Sequence, residues 1–297
     1  MIQWINGQIY RGDGAVKVTD RGFTLGDSVF ETIRIEAGVP LFWPRHMARL
    51  RRGLEKFKFA KSPSAEHLWS AAHSLIEDAG PTEYASLRLT VSRGVAPRGV
   101  APPLQETASV VLTMAPAQGV TEKPQRSFIV YTDDKLPPRA AWGFKYPGFY
   151  PVHTMGGHAA RLAGADDALI VNTDDQIVSS TCANVFMIQP DGTIVTPPLS
   201  AGPLPGTVRA CLLEDERLEI REDEIGLESL SSGMICFSNS LLGIAKGALL
   251  MPSSQSGQPS KSAQVAQTRT SKQESQYEKM VSVFAELVKT ELVRVGG

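Results

Sequence analysis

Short β-branched runs recur along this chain, each closed by a Gly, Pro or Asn turn, and that alternation points to a mixed α/β architecture. Ile2 to Ile9 alternates around Asn6-Gly7, a pair that favours a type I′ turn, and predicts a hairpin. Val29 to Glu36 reads as a strand, which Gly38-Val39-Pro40 turns into a second one, Leu41-Phe42-Trp43. His46 to Phe57 carries Met47, Leu50 and Leu54 at helical spacing, with Arg and Lys on the other face. Ala65 to Ala79 is a second helix, ended by Gly80-Pro81. Ser86 to Ser92 and Ser109 to Met114 add strands, and the Pro-, Gly- and Gln-containing stretch after them reads as a linker.

The second half predicts a strand at Ser127 to Tyr131 and a helix at His153 to Gly164, despite Gly156-Gly157. Strands follow at Asp167 to Val171, Asn184 to Ile188 and Thr193 to Val195, then a helix at Thr207 to Glu216 and a strand at Met234 to Ser238. The Ser- and Gln-rich segment 253–273 is poor in apolar residues and reads as a mobile loop. Tyr277 to Val293 closes the chain as an amphipathic helix. The expected division is an α/β domain over 1–115, a linker over 116–126 and a larger domain over 127–297.

At 297 residues the chain is long enough for two domains, and 42% hydrophobic residues supply a sizeable core. Lys plus Arg number 30 against 31 Asp plus Glu, so charge gives no reason to expect nucleic acid. The three cysteines, Cys182, Cys211 and Cys236, form no C-x-x-C pair and read as reduced thiols of a cytoplasmic protein. The start of the chain has no signal-peptide pattern, and no apolar run is long enough to span a membrane. The five histidines lack metal-ligand spacing, and Ser28 and Ser92 have no adjacent His, so neither a metal centre nor a hydrolase triad is expected.

Four local features carry possible chemistry. Leu204-Pro205-Gly206-Thr207-Val208-Arg209 leads from a Gly-bearing turn into a helix, whose free N–H groups and positive dipole end suit a phosphate. Any ordinary helix start shares those properties. Lys145 sits among Trp142, Phe144, Tyr146 and Phe149, where burial would favour the neutral amine that attacks a carbonyl carbon. The plain alternative is a lysine snorkelling at a strand edge. Arg49 lies near Arg45, Arg51 and Arg52, which is either an anion site or a solvated basic face. Ser92-Arg93-Gly94 and Pro97-Arg98-Gly99 place two arginines in a Gly/Pro loop, as a carboxylate clamp or a polar hairpin tip. Asp20-Arg21-Gly22 with Gly26-Asp27 reads as a tight turn.

Taken in order, these pieces resemble the fold-type IV pyridoxal-phosphate family of branched-chain and D-amino-acid aminotransferases and aminodeoxychorismate lyase. The matching segments run from Asp20-Arg21-Gly22-Phe23-Thr24-Leu25-Gly26-Asp27 with Val29-Phe30-Glu31-Thr32, through His46-Met47-Ala48-Arg49-Leu50 and Lys145. They continue with Ala163 to Leu169, Ala183-Asn184-Val185-Phe186, Leu204 to Arg209 and Ser238-Asn239-Ser240-Leu241. The resemblance implies a two-domain α/β fold with a smaller N-terminal α/β sandwich and a larger C-terminal pseudo-barrel that binds pyridoxal 5′-phosphate. It implies a homodimer acting on a small amino substrate, without nucleic acid or membrane partners. By position it makes Lys145 the catalytic lysine, joined to the cofactor as a Schiff base. Arg49 and the Thr207 and Val208 backbone become phosphate ligands, and Ser179, Thr181, Asn184, Ser238 and Asn239 become further cofactor contacts.

Two departures stand out. Ser179 replaces the Glu that the family usually sets against the pyridine nitrogen, which leaves the ring a weaker electron sink. Val208 stands where many members have Thr. Leu25, Arg93 and Arg98 fall at substrate-binding positions, and the arginine loop resembles that of aminodeoxychorismate lyase. That branch converts 4-amino-4-deoxychorismate to 4-aminobenzoate and pyruvate. A branched-chain or D-amino-acid aminotransferase is the second possibility, and a non-catalytic cofactor-binding member is the third.

Overall fold

The computed structural model describes residues 1–12, 14–119, 125–137, 143–251, 263–264 and 269–296. The chain forms two compact units. The first comprises Met1–Gly119, Gly143–Gly148 and the residues from Thr290 onward.

In the first unit β1 (Ile2–Ile5) and β2 (Gln8–Arg11) form the hairpin that Asn6-Gly7 predicts, with both turn residues at positive φ. The segment expected to be a bare turn instead forms the short helix α1 (Arg21–Leu25). The Asp20 side chain accepts from Gly22 N at its start, and Gly26, at φ 65°, closes it in the left-handed region. β3 (Ser28–Glu36), β4 (Val39–Pro40), β5 (Tyr84–Ser92) and β6 (Ser109–Pro116) complete an antiparallel sheet in the order β2-β1-β6-β5-β3-β4. The helices α2 (Trp43–Lys56) and α3 (Ala65–Ala79) pack on it. Val29, Ile33 and Ile35 of β3 join Leu50 and Leu54 of α2 in one core.

The expected strand Leu41-Phe42-Trp43 is a correction. Phe42 adopts a left-handed conformation and α2 begins at Trp43, with Pro44 in its first turn. Proline's fixed φ and missing N–H suit that position, whereas β-propensity alone points to a strand.

The second unit comprises Phe149–Lys289 together with the strand that opens at Gln125. Its strands are β7 (Gln125–Leu136), β8 (Asp167–Asn172), β9 (Ile177–Ser180), β10 (Asn184–Ile188), β11 (Ile194–Thr196), β12 (Ile220–Glu222), β13 (Met234–Asn239), β14 (Gly243–Met251) and β15 (Ala263–Gln264). They run in the order β12-β11-β10-β13-β14-β7-β8-β9, with β15 on β14. β9, at the end of that path, feeds straight into β10, and Ser180 N donates to Ala183 O at 2.8 Å. The sheet therefore curls back on itself as a pseudo-barrel. β8, β9 and β10 are buried along their whole lengths, as the apolar runs Ala168–Val171 and Val185–Ile188 anticipate for β8 and β10; β9, half of it serine, is not among the expected strands.

Among the described residues, three α-helices belong to this unit: α4 (Pro151–Leu162), α5 (Thr207–Leu213) and α6 (Ser271–Gly296), the last of which continues into residues assigned to the first unit. Gly156 brings α4 close to the sheet, since a Cβ there would lie 2.7 Å from Ile170 Cδ1 and 3.3 Å from Tyr131 Cδ1. Of the expected linker, Pro116 ends β6 and Gln125 opens β7, while residues 120–124 lie outside the described residues. Most of the expected loop 253–273 also lies outside them, and its last three residues are helical. No described helix is long and apolar enough to cross a membrane.

Candidate functional site

In the first unit the site grows from a carboxylate in the wrong company. Glu31 stands in the same alternating phase of β3 as the core residues Val29, Ile33 and Ile35, and it is fully buried. It survives there because α2 brings two nitrogen side chains over it. Arg49 donates from Nε to Glu31 Oε1 at 2.8 Å and from Nη2 to Oε2 at 2.6 Å. His46, one helical turn earlier, holds Nδ1 at 2.7 Å from Oε2. The two-point contact fixes the plane of the guanidinium. Burial alone would raise the Glu31 pKa, but the Arg49 charge and the hydrogen bonds from Arg49 and His46 outweigh it and hold it at about 2. His46 is lowered, first by burial and then by the charges of Arg49 and Lys145, against the pull of Glu31. It is thus a neutral donor at neutral pH.

Arg49 therefore does not lie on a solvated basic face, the plainer of the two expectations for it; it is 3% exposed.

Lys145 is half-buried beside this cluster. Its Nζ lies 5.5 Å from the Phe30 ring centre, and its carbonyl accepts from Phe30 N at 3.1 Å. The neighbouring Phe144 anchors the segment, with Phe57 at 5.1 Å edge-on and Tyr146 at 5.3 Å. Gly53 makes room for it, because a Cβ there would sit 2.7 Å from Phe144 Cδ2 and 2.8 Å from Val29 Cγ1.

The expected clamp of Arg93 is a correction. Arg93 is 3% exposed and its guanidinium is consumed within the protein. Nε donates to Asp27 Oδ2 at 2.8 Å, Nη1 to Glu106 Oε2 at 2.7 Å and Nη2 to Phe57 O at 2.6 Å. Arg21 reaches the same Asp27 oxygen at 2.7 Å and also binds the carbonyls of Gly99 and Val100. The two arginines pin the loop to the sheet rather than facing a substrate. Arg98 and Leu25, by contrast, are exposed.

The second unit gathers most of the remaining expected residues. Asn184 of β10 pairs with Ser238 of β13, and Asn184 Nδ2 donates to Leu204 O at 2.7 Å. This holds the turn before α5, whose first position, Gly206, provides no side-chain cap for the amides that follow. Gly206 is required, since a Cβ would lie 1.9 Å from Asn184 Oδ1. Thr207 and Val208 then open the helix, both buried. Beside them Ser238 Oγ is a buried hydroxyl without a partner among the described residues. Such an atom is costly unless something else bonds it.

Thr181 is held at the β9–β10 turn by Asp167 Oδ1, which accepts from its hydroxyl at 2.5 Å and its amide at 3.0 Å. Asn239 Oδ1 accepts from the amides of Leu241 and Leu242, so its side chain shapes the turn after β13. Ser179 is buried with Oγ 3.5 Å from His153 Nε2.

Against known sequences, residues 28–248 match the family model for amino-transferase class IV. The chain belongs to that family. It is an enzyme that uses pyridoxal phosphate. Among its relatives, the branched-chain-amino-acid aminotransferase of Salmonella typhimurium is 28% identical over 240 residues, covering 76% of this chain and 77% of that one. The aminodeoxychorismate lyase of Bacillus subtilis is 24% identical over 239 residues, covering 76% and 78%. The solved branched-chain amino acid aminotransferase of Escherichia coli superposes with a TM-score of 0.76 at 25% identity, covering 84% of this chain and 86% of that one.

The residues present fit the cofactor. The orphaned Ser238 hydroxyl, the uncapped amides of Thr207 and Val208 and the Gly206 turn form one polar cradle suited to a phosphate. Glu31, His46 and His153 are absent from the set expected from sequence. A charged residue in the buried phase of an alternating strand was the available signal for Glu31, and the i, i+3 pair His46 and Arg49 for its partners. We expect Gly206→Ala to destabilise the protein by about 1–3 kcal/mol, as overpacking does, and to weaken cofactor binding. Thermal melting and titration of apo-protein would check this, and an unchanged affinity would remove the cradle from the phosphate.

Proposed function

We propose that this enzyme is a lyase that converts 4-amino-4-deoxychorismate to 4-aminobenzoate and pyruvate. The observation that carries the proposal is the hydroxyl, in place of a carboxylate, at position 179. The Ser179 hydroxyl meets the His153 imidazole, while the carboxylates of the adjacent turn look outward, Asp174 exposed and Asp175 paired with Lys135. Pyridoxal phosphate, when bound, supplies a carbonyl for the substrate amine and a ring that draws electron density from the reacting carbon. A hydroxyl at position 179 supports that withdrawal less than a carboxylate does. Formation of an aromatic product ring offsets the difference in the lyase reaction, and amino transfer has no such compensation.

In this proposal Lys145 would hold the resting cofactor through its amine and, once the substrate amine has displaced it there, would use the freed amine to remove the proton from the substrate ring carbon. Thr207 and Val208 hold the phosphate through their amides, with Arg49 adding a charged donor whose plane Glu31 fixes. Asn184 and Ser238 flank that cradle, and Thr181 and Asn239 shape its turns. Leu25 and Arg98 remain as substrate-facing candidates. A cytoplasmic homodimer accompanies this assignment.

The alternative is a branched-chain aminotransferase, favoured by the 28% identity to the Salmonella enzyme. Product analysis separates the two. Incubation with 4-amino-4-deoxychorismate is expected to yield 4-aminobenzoate and pyruvate in equal amounts. Incubation with a branched-chain or D-amino acid plus 2-oxoglutarate is expected to be slower. Amino transfer without any 4-aminobenzoate would overturn the lyase proposal.

A further inference from the structure

His153 is a buried histidine on α4, 4% exposed, that no part of the cofactor cradle described above requires. Its Nδ1 lies 3.0 Å from the carbonyl oxygen of Phe149, one turn back on the chain. A carbonyl oxygen only accepts, so Nδ1 carries the proton. In the neutral ring Nε2 then has a lone pair, and that lone pair faces Ser179 Oγ at 3.5 Å. The hydroxyl has one proton to give. Directed at Nε2, it leaves Oγ with only lone pairs for any other neighbour.

We propose that His153 sets the direction of the Ser179 hydroxyl and so makes Ser179 an acceptor toward the ring nitrogen of the cofactor. This rests on the cofactor reading above, in which position 179 meets that nitrogen. An acceptor oxygen can bond a protonated ring nitrogen and is repelled by the lone pair of an unprotonated one. A serine without His153 is free to rotate and donate to the unprotonated nitrogen instead. The imidazole therefore biases the ring toward its protonated form without placing a carboxylate against it. The resulting electron sink is weaker than a carboxylate provides and stronger than a lone serine provides.

The surroundings hold the imidazole in place. The Phe149 ring lies 4.5 Å from it in a tilted contact, and Tyr150 is 5.9 Å away. The glycine at 156 seats α4 on Ile170, whose strand partner in the sheet is Ser179 itself. His153 is thus a positioning residue that acts through Ser179.

The test uses full-length protein reconstituted with pyridoxal phosphate labelled with ¹⁵N in the ring. The ring-nitrogen resonance is expected at the protonated position in the wild type. It should move toward the unprotonated position in both His153→Ala and Ser179→Ala. Affinity is read in parallel for pyridoxal phosphate and for its 1-deaza analogue, which has carbon in place of the ring nitrogen. The wild-type preference is expected to be about tenfold or more, the equivalent of one hydrogen bond to a charged group, and under about threefold in either variant. The double variant should change no further, because both residues act through one contact.

Ser179→Ala removes a single oxygen and keeps the test open where His153→Ala fails to fold. An unchanged resonance and preference in both variants overturn the proposal, while the Lys145-dependent absorbance of the bound cofactor leaves the underlying reading intact. A response to Ser179→Ala with none to His153→Ala also overturns it. Absence of that absorbance from the wild-type protein overturns both.

Discussion

Lys145→Ala is expected to abolish the absorbance of lysine-bound cofactor and to lower turnover by roughly 10⁴-fold or more, the scale seen when an essential group is removed from a working site. The fold should survive, because the segment is anchored by its neighbours rather than by the amine. Phe144 is 1% exposed and packs on Phe57 and Tyr146, and the Lys145 carbonyl, which the substitution keeps, accepts from Phe30 N. The amine itself lies 5.5 Å from the Phe30 ring centre and contributes charge that helps lower His46. Its removal should therefore relieve part of the depression of His46. Absorption spectra, steady-state assays and thermal melting on one preparation would separate these effects. Turnover at the wild-type level would remove Lys145 from the chemistry altogether.

Much of the fold is legible in the sequence because its strands report their own burial. Ser86 to Ser92 alternates and lies within β5, and Asp167 to Val171 is uniformly apolar, apart from its first residue, and lies within the fully buried β8. Asn6-Gly7 states its turn chemistry outright. The start of α6 was hidden for a definite reason. Gln273 belongs to a polar run that reads as a loop, yet it is 1% exposed and donates to the carbonyls of Ile188 and Ser232. Hydrogen bonding docks that turn of the helix, and no hydrophobic periodicity can announce it.

The candidate site divides in the same way. Lys145, Asn184, Thr207 and Ser238 are marked by ordered motifs along the chain. Arg93 misleads, because a charged residue in a Gly/Pro loop gives no sign that Asp27 and Glu106 enclose it. The contact between His153 and Ser179 joins residues 26 apart and exists only once α4 is seated on the sheet.

Glu31→Gln is expected to cost about 3–5 kcal/mol of stability, the penalty for removing one partner of a buried ion pair. The substitution preserves shape and takes the Glu31 charge away from the buried Arg49 guanidinium, and it turns an amide N–H₂ toward a group that can only donate. Urea titration would measure the loss, and a change under about 1 kcal/mol would mean that the pair contributes no more than a surface ion pair. The pH dependence gives an independent check. The Glu31 pKa is depressed from an unfolded value near 4.5 to about 2. Its contribution is therefore fully present above the unfolded value and is lost as pH falls through that interval. The wild type should lose stability between roughly pH 5 and pH 2 more steeply than Glu31→Gln, whose amide does not titrate. The same substitution should weaken cofactor binding, because Glu31 accepts from two donors of Arg49 and so helps set where that guanidinium points. Lost stability with unchanged cofactor affinity would confine Glu31 and Arg49 to the core of the first unit.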